Sequence, residues 1–156
     1  MIARRLRQST RAVLLDADDR ILLARFVVPG GDIWATPGGG LDDGESDEVG
    51  LRRELAEELG LDELEIGPLV WVRDDQLPSP LGTFDAQLER YYLVRTARFE
   101  PQPRVDLAAE NVGELRWWTA GEIAASMELF APSRLAHLLR DLLENGAPPE
   151  PIDAGV

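Results

Sequence analysis

The stretch from Gly39 to Leu61, GGLDDGESDEVGLRRELAEELGL, limits what this chain can fold into more than any other part of it. Ser46 is a typical N-cap residue and Gly60 is typical of the position just past a helix end, so the pattern predicts a helix between them. The glycines that precede this helix, Gly38, Gly39 and Gly40, predict a shaped loop rather than the interior of a helix or strand. We therefore expect a backbone without side chains to lie against the start of a charged helix.

The predicted helix carries three carboxylates on one side. Glu54, Glu57 and Glu58 have i, i+3 and i+4 spacing, which places them within an arc of about 100°. The neighbouring apolar stripe that should face a sheet consists of Leu51, Leu55 and Leu59. An arc of carboxylates suits hard cations such as Mg²⁺ or Mn²⁺, which prefer oxygen ligands. The alternative interpretation is a solvated acidic face without a ligand.

Composition excludes several kinds of catalysis. The chain has no cysteine and no lysine, so disulfides, thiolate nucleophiles, Schiff-base lysines and Walker-type phosphate loops are all excluded. The single histidine, His137, lies in the apolar segment RLAHLLR, which is typical of a structural helix. The net charge of −13 argues against a nucleic-acid-binding surface. Divalent cations are therefore the expected means of attracting a phosphorylated substrate.

The stretch closely resembles the signature of the Nudix hydrolases. That signature is a glycine, five residues, a glutamate, seven residues, then R-E-U-x-E-E-x-G-U, where U is a bulky aliphatic residue. Every fixed position is matched without a gap, by Gly39, Glu45, Arg53, Glu54, Leu55, Glu57, Glu58, Gly60 and Leu61. The resemblance extends over about residues 8 to 144. It implies an α/β (α+β) fold, in which a mixed sheet is flanked by helices in an α/β/α sandwich.

The resemblance also implies Mg²⁺-dependent hydrolysis of a pyrophosphate linkage in a nucleoside diphosphate derivative, with Mn²⁺ as a substitute. Glu57 and Glu58 would be the principal metal ligands, joined by Glu54 and by a carbonyl of Gly38 or Gly39. Arg53 and Glu45 would orient these carboxylates. The family varies in its general base, and we favour Glu54. Some members take a further ligand or base from a loop before a late Trp-containing strand, where Glu110 is the first candidate here and Glu114 the second.

Substrate recognition should come from outside the signature. Besides Gly38, Gly39 and Gly40, the candidate substrate-binding residues are Trp34 and Arg73. The side chains of Phe26, Trp34, Trp71 and Tyr91 could stack on a base. Arg73 and Arg90 could contact phosphate. Core packing and surface ion pairing are the competing interpretations. A MutT-like nucleoside triphosphate hydrolase and an ADP-ribose-type hydrolase are equally favoured. The alternative from another class is a non-catalytic Nudix domain that senses a nucleotide metabolite.

We expect a single domain over residues 1–145 and a disordered, proline-containing tail over 146–156. Apolar runs are too short to cross a membrane and no secretory signal is recognisable, so a cytoplasmic protein is expected. We expect a small nucleotide substrate, no stable nucleic-acid binding and no membrane partner. Homodimers are frequent in the family. Besides the central helix, the elements predicted from the pattern are a hairpin over Gln8–Asp16 and Ile21–Phe26, strands at Glu65–Arg73, Gln87–Thr96 and Glu114–Trp118, and a helix over Ser133–Glu144.

Overall fold

A computed structural model describes residues 5–76 and 84–155 of the chain. Within these residues the strands are β1 (Leu6–Leu15), β2 (Ile21–Phe26), β3 (Ile33–Ala35), β4 (Gly38–Gly40), β5 (Leu69–Asp75), β6 (Ala86–Arg95), β7 (Val112–Trp118), β8 (Leu129–Ala131) and β9 (Ile152–Asp153). The helices are α1 (Asp47–Leu59), α2 (Ala120–Ala125) and α3 (Leu135–Asn145), with a 3₁₀ turn at Ala108–Glu110. The predicted hairpin and helices are present, and β5 begins four residues later than expected.

The strands form one mixed sheet. Its order is β8-β3-β2-β1-β6-β5-β9, with β4 paired to β1 and β7 paired to β2. The pairs β1–β6, β3–β8 and β5–β9 are parallel, and the other pairs are antiparallel. In the described part of the chain, no helix is both long and apolar enough to cross a bilayer.

Helices cover both faces of the sheet. Alternate side chains of β1 point to opposite faces, and each face packs into its own apolar core. Ala12 and Leu14 pack with the leucine stripe of α1. Val13 and Leu15 pack in the other core, which contains residues of α2 and α3. This arrangement confirms the predicted α/β fold with a mixed sheet between helices.

The glycine segment differs from its prediction, because it forms strand β4 rather than a loop. Gly38, Gly39 and Gly40 pair with Arg11, Thr10 and Ser9 of β1. Gly38 has φ of 133°, and a Cβ there would lie 2.1 Å from the carbonyl oxygen of Thr10. Only glycine permits this conformation and this close approach. Glycine has a low strand propensity, yet here its lack of a side chain is what allows β4 to pair with β1.

The prediction of a disordered tail over 146–156 is wrong for its described end. Ile152 and Asp153 form β9, which extends the sheet in parallel beside Trp71 and Val72 of β5. Ala154 is fully buried, and its N–H donates to the carbonyl oxygen of Val72 at 2.8 Å. The parallel pairing with β5 and the burial of Ala154 outweigh the weak strand propensity of a proline-containing sequence.

Candidate active site

Helix α1 is held against the sheet with its carboxylate side facing β4. The Ser46 hydroxyl accepts the N–H of Val49 at 3.2 Å, and Gly60 ends the helix in the left-handed conformation with φ of 68°. The stripe of Leu51, Leu55 and Leu59 is buried in the core. Because the start, end and apolar face are all fixed, the acidic side chains of α1 have a defined position.

The glycine strand lies directly against two of these carboxylates. The N–H of Gly38 donates to Oε2 of Glu58 at 3.2 Å. A Cβ at Gly39 would lie only 2.7 Å from the carboxyl carbon of Glu54. Glycine at these positions therefore allows the side chains of α1 to approach the backbone of β4.

Glu58 has an unusual environment for an acidic side chain, since only 8% of the residue is exposed. Burial, together with the nearby charge of Glu54, raises the pKa of Glu58 to about 8. The Gly38 N–H and the more distant charge of Arg11 oppose this rise in pKa only partly. Added positive charge at this place would favour the ionised form of Glu58.

Arg53 connects the carboxylates around the site. Its Nε and Nη2 donate to the two oxygens of Glu45 at 2.9 and 2.8 Å, which is a bidentate pair. Nη1 donates to Oε1 of Glu54 at 2.9 Å and lies 3.6 Å from Oε2 of Glu57. Nη2 also donates to the carbonyl oxygen of Gly40 at 3.2 Å. One guanidinium thus holds two carboxylates and the end of β4 in place.

Glu45 is fixed as an anion by this arrangement. The hydrogen bonds from Arg53 and from the N–H of Asp42 lower the pKa of Glu45 to about 2. In turn, the hydrogen bonds that Arg53 donates to Glu45 and to Glu54 raise the pKa of Arg53. Glu45 and Arg53 are therefore charged under all ordinary conditions, as an orienting pair requires.

The structure separates the two candidate glutamates of the late loop. Glu110, in the 3₁₀ turn, lines the same cavity as Glu54 and Glu58. Burial, followed by the charges of Glu54 and Glu57, raises the pKa of Glu110. Glu114 lies 3.8 Å from Arg25 and is not among the described residues that line the cavity. Of the two, Glu110 is therefore the residue that lies near the carboxylates of α1.

The cavity has a volume of about 370 Å³. Its lining consists of Arg7, Arg11, Phe26, Val28, Gly38, Gly39, Glu54, Glu58, Glu110 and Asn111. The sequence reasoning missed Arg7, Arg11, Val28 and Asn111. The available signal was the two-residue period of β1, which places Arg7, Ser9 and Arg11 on one face of the strand.

Two candidate substrate-binding side chains lie elsewhere. The Trp34 side chain is in the core, 2% exposed, with its ring centroid 5.0 Å from that of Trp118. Arg73 donates to Glu89 at 2.8 Å and to Asp75 at 3.2 Å. The structure therefore gives these two residues packing and ion-pair roles and does not bring them to the cavity.

The chemistry of the site fits a hard divalent cation. The cavity lining includes the carboxylates of Glu54, Glu58 and Glu110 and the backbone of Gly39, which offer oxygens of the kind that Mg²⁺ prefers. Glu57 is not among the described residues that line the cavity, and its Oε2 lies 3.6 Å from Nη1 of Arg53. Within residues 5–76 and 84–155, no three acidic or histidine side chains are arranged closely enough to make a complete metal centre by themselves. Two of these carboxylates are paired with Arg53, Glu54 at 2.9 Å and Glu57 at 3.6 Å.

Comparison with known sequences identifies the family. The family model described as "NUDIX domain" matches residues 5–142. An RNA pyrophosphohydrolase from Nitratiruptor is 33% identical over 117 residues, which cover 69% of this chain and 72% of that protein. An RNA pyrophosphohydrolase from Helicobacter pylori is 35% identical over 104 residues, which cover 61% of this chain and 66% of that protein.

Solved structures with the same fold include a MutT NUDIX hydrolase from Burkholderia pseudomallei. Its TM-score is 0.65 at 27% identity, and the match covers 87% of this chain and 97% of the other. The NUDIX domain of Shewanella oneidensis NrtR, solved with ADP ribose, matches with a TM-score of 0.64 at 21% identity over 92% of this chain and 90% of the other. With the signature on α1 and β4 and a match over most of its length, the chain belongs to the Nudix hydrolase family.

Proposed function

We propose that the chain is an active pyrophosphohydrolase that uses Mg²⁺, or Mn²⁺ in its place, to cleave a pyrophosphate linkage in a nucleotide. The observation that carries this proposal is the placement of Glu58, a nearly buried carboxylate, between Glu54 and the backbone of β4. Keeping such a group ionised requires a partner with positive charge. A divalent cation bound between this carboxylate and a phosphate would supply that charge.

The residues we assign to the metal are Glu57 and Glu58 as the principal ligands, with Glu54, the Gly39 carbonyl and Glu110 completing the set. When bound, the cation neutralises phosphate charge, polarises the P–O bonds and acidifies water. The chain's own task is to keep these oxygens in position. Arg53 does so by holding Glu45 and Glu54 through hydrogen bonds of 2.8 to 2.9 Å.

Glu54 is our choice for the general base. A water oxygen attacks phosphorus, the bridging P–O bond breaks so that pyrophosphate leaves with the bonding electron pair, and a proton of that water passes to the Glu54 carboxylate. Oε1 of Glu54 accepts from Arg53 at 2.9 Å, so the carboxylate keeps one orientation. This route needs no covalent intermediate, which agrees with a chain that contains neither cysteine nor lysine.

For the substrate we propose a 5′-triphosphate group at the end of an RNA. Relatives at 33 and 35% identity are named RNA pyrophosphohydrolase, and a pyrophosphate linkage occurs in RNA only at a polyphosphorylated 5′ end. Phe26 lines the cavity and offers a ring on which a nucleobase can stack. A free nucleoside triphosphate is the second candidate, favoured by the net charge of −13, which disfavours contact with a long polyanion.

The test is a panel of substrates incubated with Mg²⁺, with Mn²⁺ or with a chelator, and analysed by chromatography. The panel contains a 5′-triphosphorylated oligoribonucleotide, the four nucleoside triphosphates and ADP-ribose. The expected products are pyrophosphate and a 5′-monophosphate end, formed only with metal. Cleavage of ADP-ribose alone would overturn the proposed substrate.

A matched pair of variants connects the result to the site. Glu57→Gln should reduce turnover by at least about 100-fold, because a ligand charge is lost next to the phosphates. Glu144→Gln, on the exposed side of α3, removes the same charge and should leave turnover unchanged. Tight nucleotide binding by the wild-type chain without any turnover would instead support the non-catalytic alternative.

A further inference from the structure

Arg7 reaches the cavity from the side opposite to α1. It lies on β1, and its Nε is 2.9 Å from the place where a Cβ of Gly40 would be. Likewise, the carboxyl carbon of Glu54 is 2.7 Å from the place where a Cβ of Gly39 would be. Since successive residues of a strand face opposite sides, Glu54 and Arg7 flank β4 on its two sides, and both line the cavity.

Within residues 5–76 and 84–155, the Arg7 guanidinium makes no hydrogen bond or ion pair, although the charges of Glu89, Glu54 and Glu58 act on it from a greater distance. The Phe84 ring lies near it, with its centroid 5.4 Å from the guanidinium carbon. The other arginine of the cavity, Arg11, is by contrast occupied with Glu89 and with the carbonyl oxygens of Thr36 and Gly38.

The surroundings of Arg7 make this lack of a partner costly. The residue is half-buried, and burial together with the charge of Arg11 lowers the pKa of Arg7, while the charges of Glu89, Glu54 and Glu58 oppose this only partly. A cation that has lost part of its water without a directly hydrogen-bonded anion is in an unfavourable state. A phosphate oxygen in the cavity would supply that direct partner.

From this geometry we propose that Arg7 binds a phosphate group of the substrate on the side of the phosphate chain that points away from Glu54 and Glu58. The cavity then has one wall of carboxylates for the cation and one guanidinium that contacts phosphate directly. A linear polyphosphate can span the two walls, which fixes the direction in which it lies. This inference rests on the proposed function of the same site.

An arginine suits this place better than a lysine. Its planar guanidinium can donate two parallel hydrogen bonds to a phosphate, whereas an ammonium acts as a point charge. The Phe84 ring supports one face of the plane, so little side-chain freedom remains to be lost when phosphate binds.

The test measures binding, so it does not depend on turnover. The probes are a nucleoside 5′-triphosphate whose α–β bridging oxygen is replaced by methylene, the equivalent 5′-triphosphorylated dinucleotide, and the nucleoside monophosphate. Affinities are measured by calorimetry with Mg²⁺ for the wild type and for Arg7→Met, Arg7→Lys and Arg140→Met. Arg140 lies exposed on α3, so its variant changes the net charge equally and serves as the matched control.

We expect Arg7→Met to bind both triphosphate probes about 10- to 100-fold more weakly than wild type, as for a lost charge-assisted hydrogen bond. Arg7→Lys should lie in between, and Arg140→Met should stay within about twofold. The monophosphate should bind equally to all variants. A loss below about tenfold for Arg7→Met, or the same loss in the control, overturns the inference.

Two further results separate this inference from the proposed function. A wild-type chain that binds the triphosphate probes in an Arg7-dependent way, yet hydrolyses nothing, refutes the proposed reaction and leaves the Arg7 site standing. A chain that hydrolyses its substrate while Arg7→Met leaves affinity and KM unchanged refutes the Arg7 site alone. If urea unfolding shows that Arg7→Met is not folded, the affinity of Arg7→Lys decides between these results, because that variant preserves charge and most of the side chain.

Discussion

Among single residues, Glu58 has the most testable electrostatics. Its pKa in the folded chain, raised to about 8, lies above the ordinary value of 4.5, so the metal-free folded state holds a proton that the unfolded state releases. The associated stability is complete below pH 4.5 and is lost as pH rises through 8. We predict that the metal-free wild type loses about 2 to 3 kcal/mol of unfolding free energy between about pH 6 and about pH 9 relative to Glu58→Gln. Urea titrations at both pH values measure this difference, and parallel profiles for the two proteins would contradict the assignment.

Arg53 provides a second prediction at the same scale, because its role depends on geometry as well as on charge. Lysine at this position keeps the charge but cannot form the bidentate pair with Glu45 and also reach Glu54. Arg53→Lys should therefore lower kcat by about 10- to 100-fold with little change in thermal midpoint. The control is Arg52→Lys, on the exposed side of the same helix. Equal kcat values for the two variants would show that Arg53 contributes only charge.

At the scale of elements, the contact between α1 and β4 brings the carboxylates of the helix against the glycine backbone of the strand. A Cβ at Gly39 would meet the end of the Glu54 side chain at 2.7 to 2.9 Å, and that flexible side chain can move away. Gly39→Ala should thus displace the carboxylate and reduce kcat at least about 10-fold, while the unfolding free energy changes by about 1 kcal/mol or less. Gly121→Ala is the comparison, since its Cβ would have only an ordinary contact at 3.8 Å. A fully active Gly39→Ala enzyme would remove Glu54 from the proposed chemistry.

The elements also show what local sequence can and cannot predict. The helix between Ser46 and Gly60 was predicted correctly because capping and apolar periodicity are local signals. Strand β4 was missed because consecutive glycines have a low strand propensity. They form a strand by pairing with β1, which is distant in the sequence. Strand β9 was missed for a different reason: a strand of two residues is too short to show a periodic pattern of apolar residues.

The residues of the candidate site also divide into those that a local sequence signal predicts and those whose position depends on contacts between distant segments. The family signature predicted carboxylates close to Arg53, and Glu45, Glu54 and Glu57 lie 2.8, 2.9 and 3.6 Å from its guanidinium. Of the predicted metal ligands, Glu54, Glu58 and Glu110 line the cavity, and Glu57 is not among its described lining residues. Trp34 and Arg73 were misplaced, because a sequence does not say which face of a strand meets the core or which acid meets a guanidinium. The cavity position of Arg7 likewise depends on the pairing of β1 with β4, which joins segments far apart in the chain.

For the whole molecule, the net charge of −13 restricts how an RNA can bind. Contacts along an RNA backbone gain affinity by releasing counter-ions from phosphates, and an acidic protein obtains little of this gain. We predict that KM for 5′-triphosphorylated RNAs of about 2, 6 and 20 nucleotides differs by no more than about threefold at constant salt. Initial-rate measurements with the three lengths test this. A KM that falls steadily with length would reveal a basic path that the described residues do not suggest.

The central claim is that the acidic side of α1 binds a divalent cation against the substrate phosphates. The most direct measurement is electron paramagnetic resonance of Mn²⁺ added to the wild type, to Glu57→Gln and to Glu144→Gln, each with the methylene-bridged triphosphate. We predict that the wild type and Glu144→Gln bind Mn²⁺ equally, and that Glu57→Gln binds it at least about 10-fold more weakly. Equal Mn²⁺ affinity in all three proteins would contradict the account.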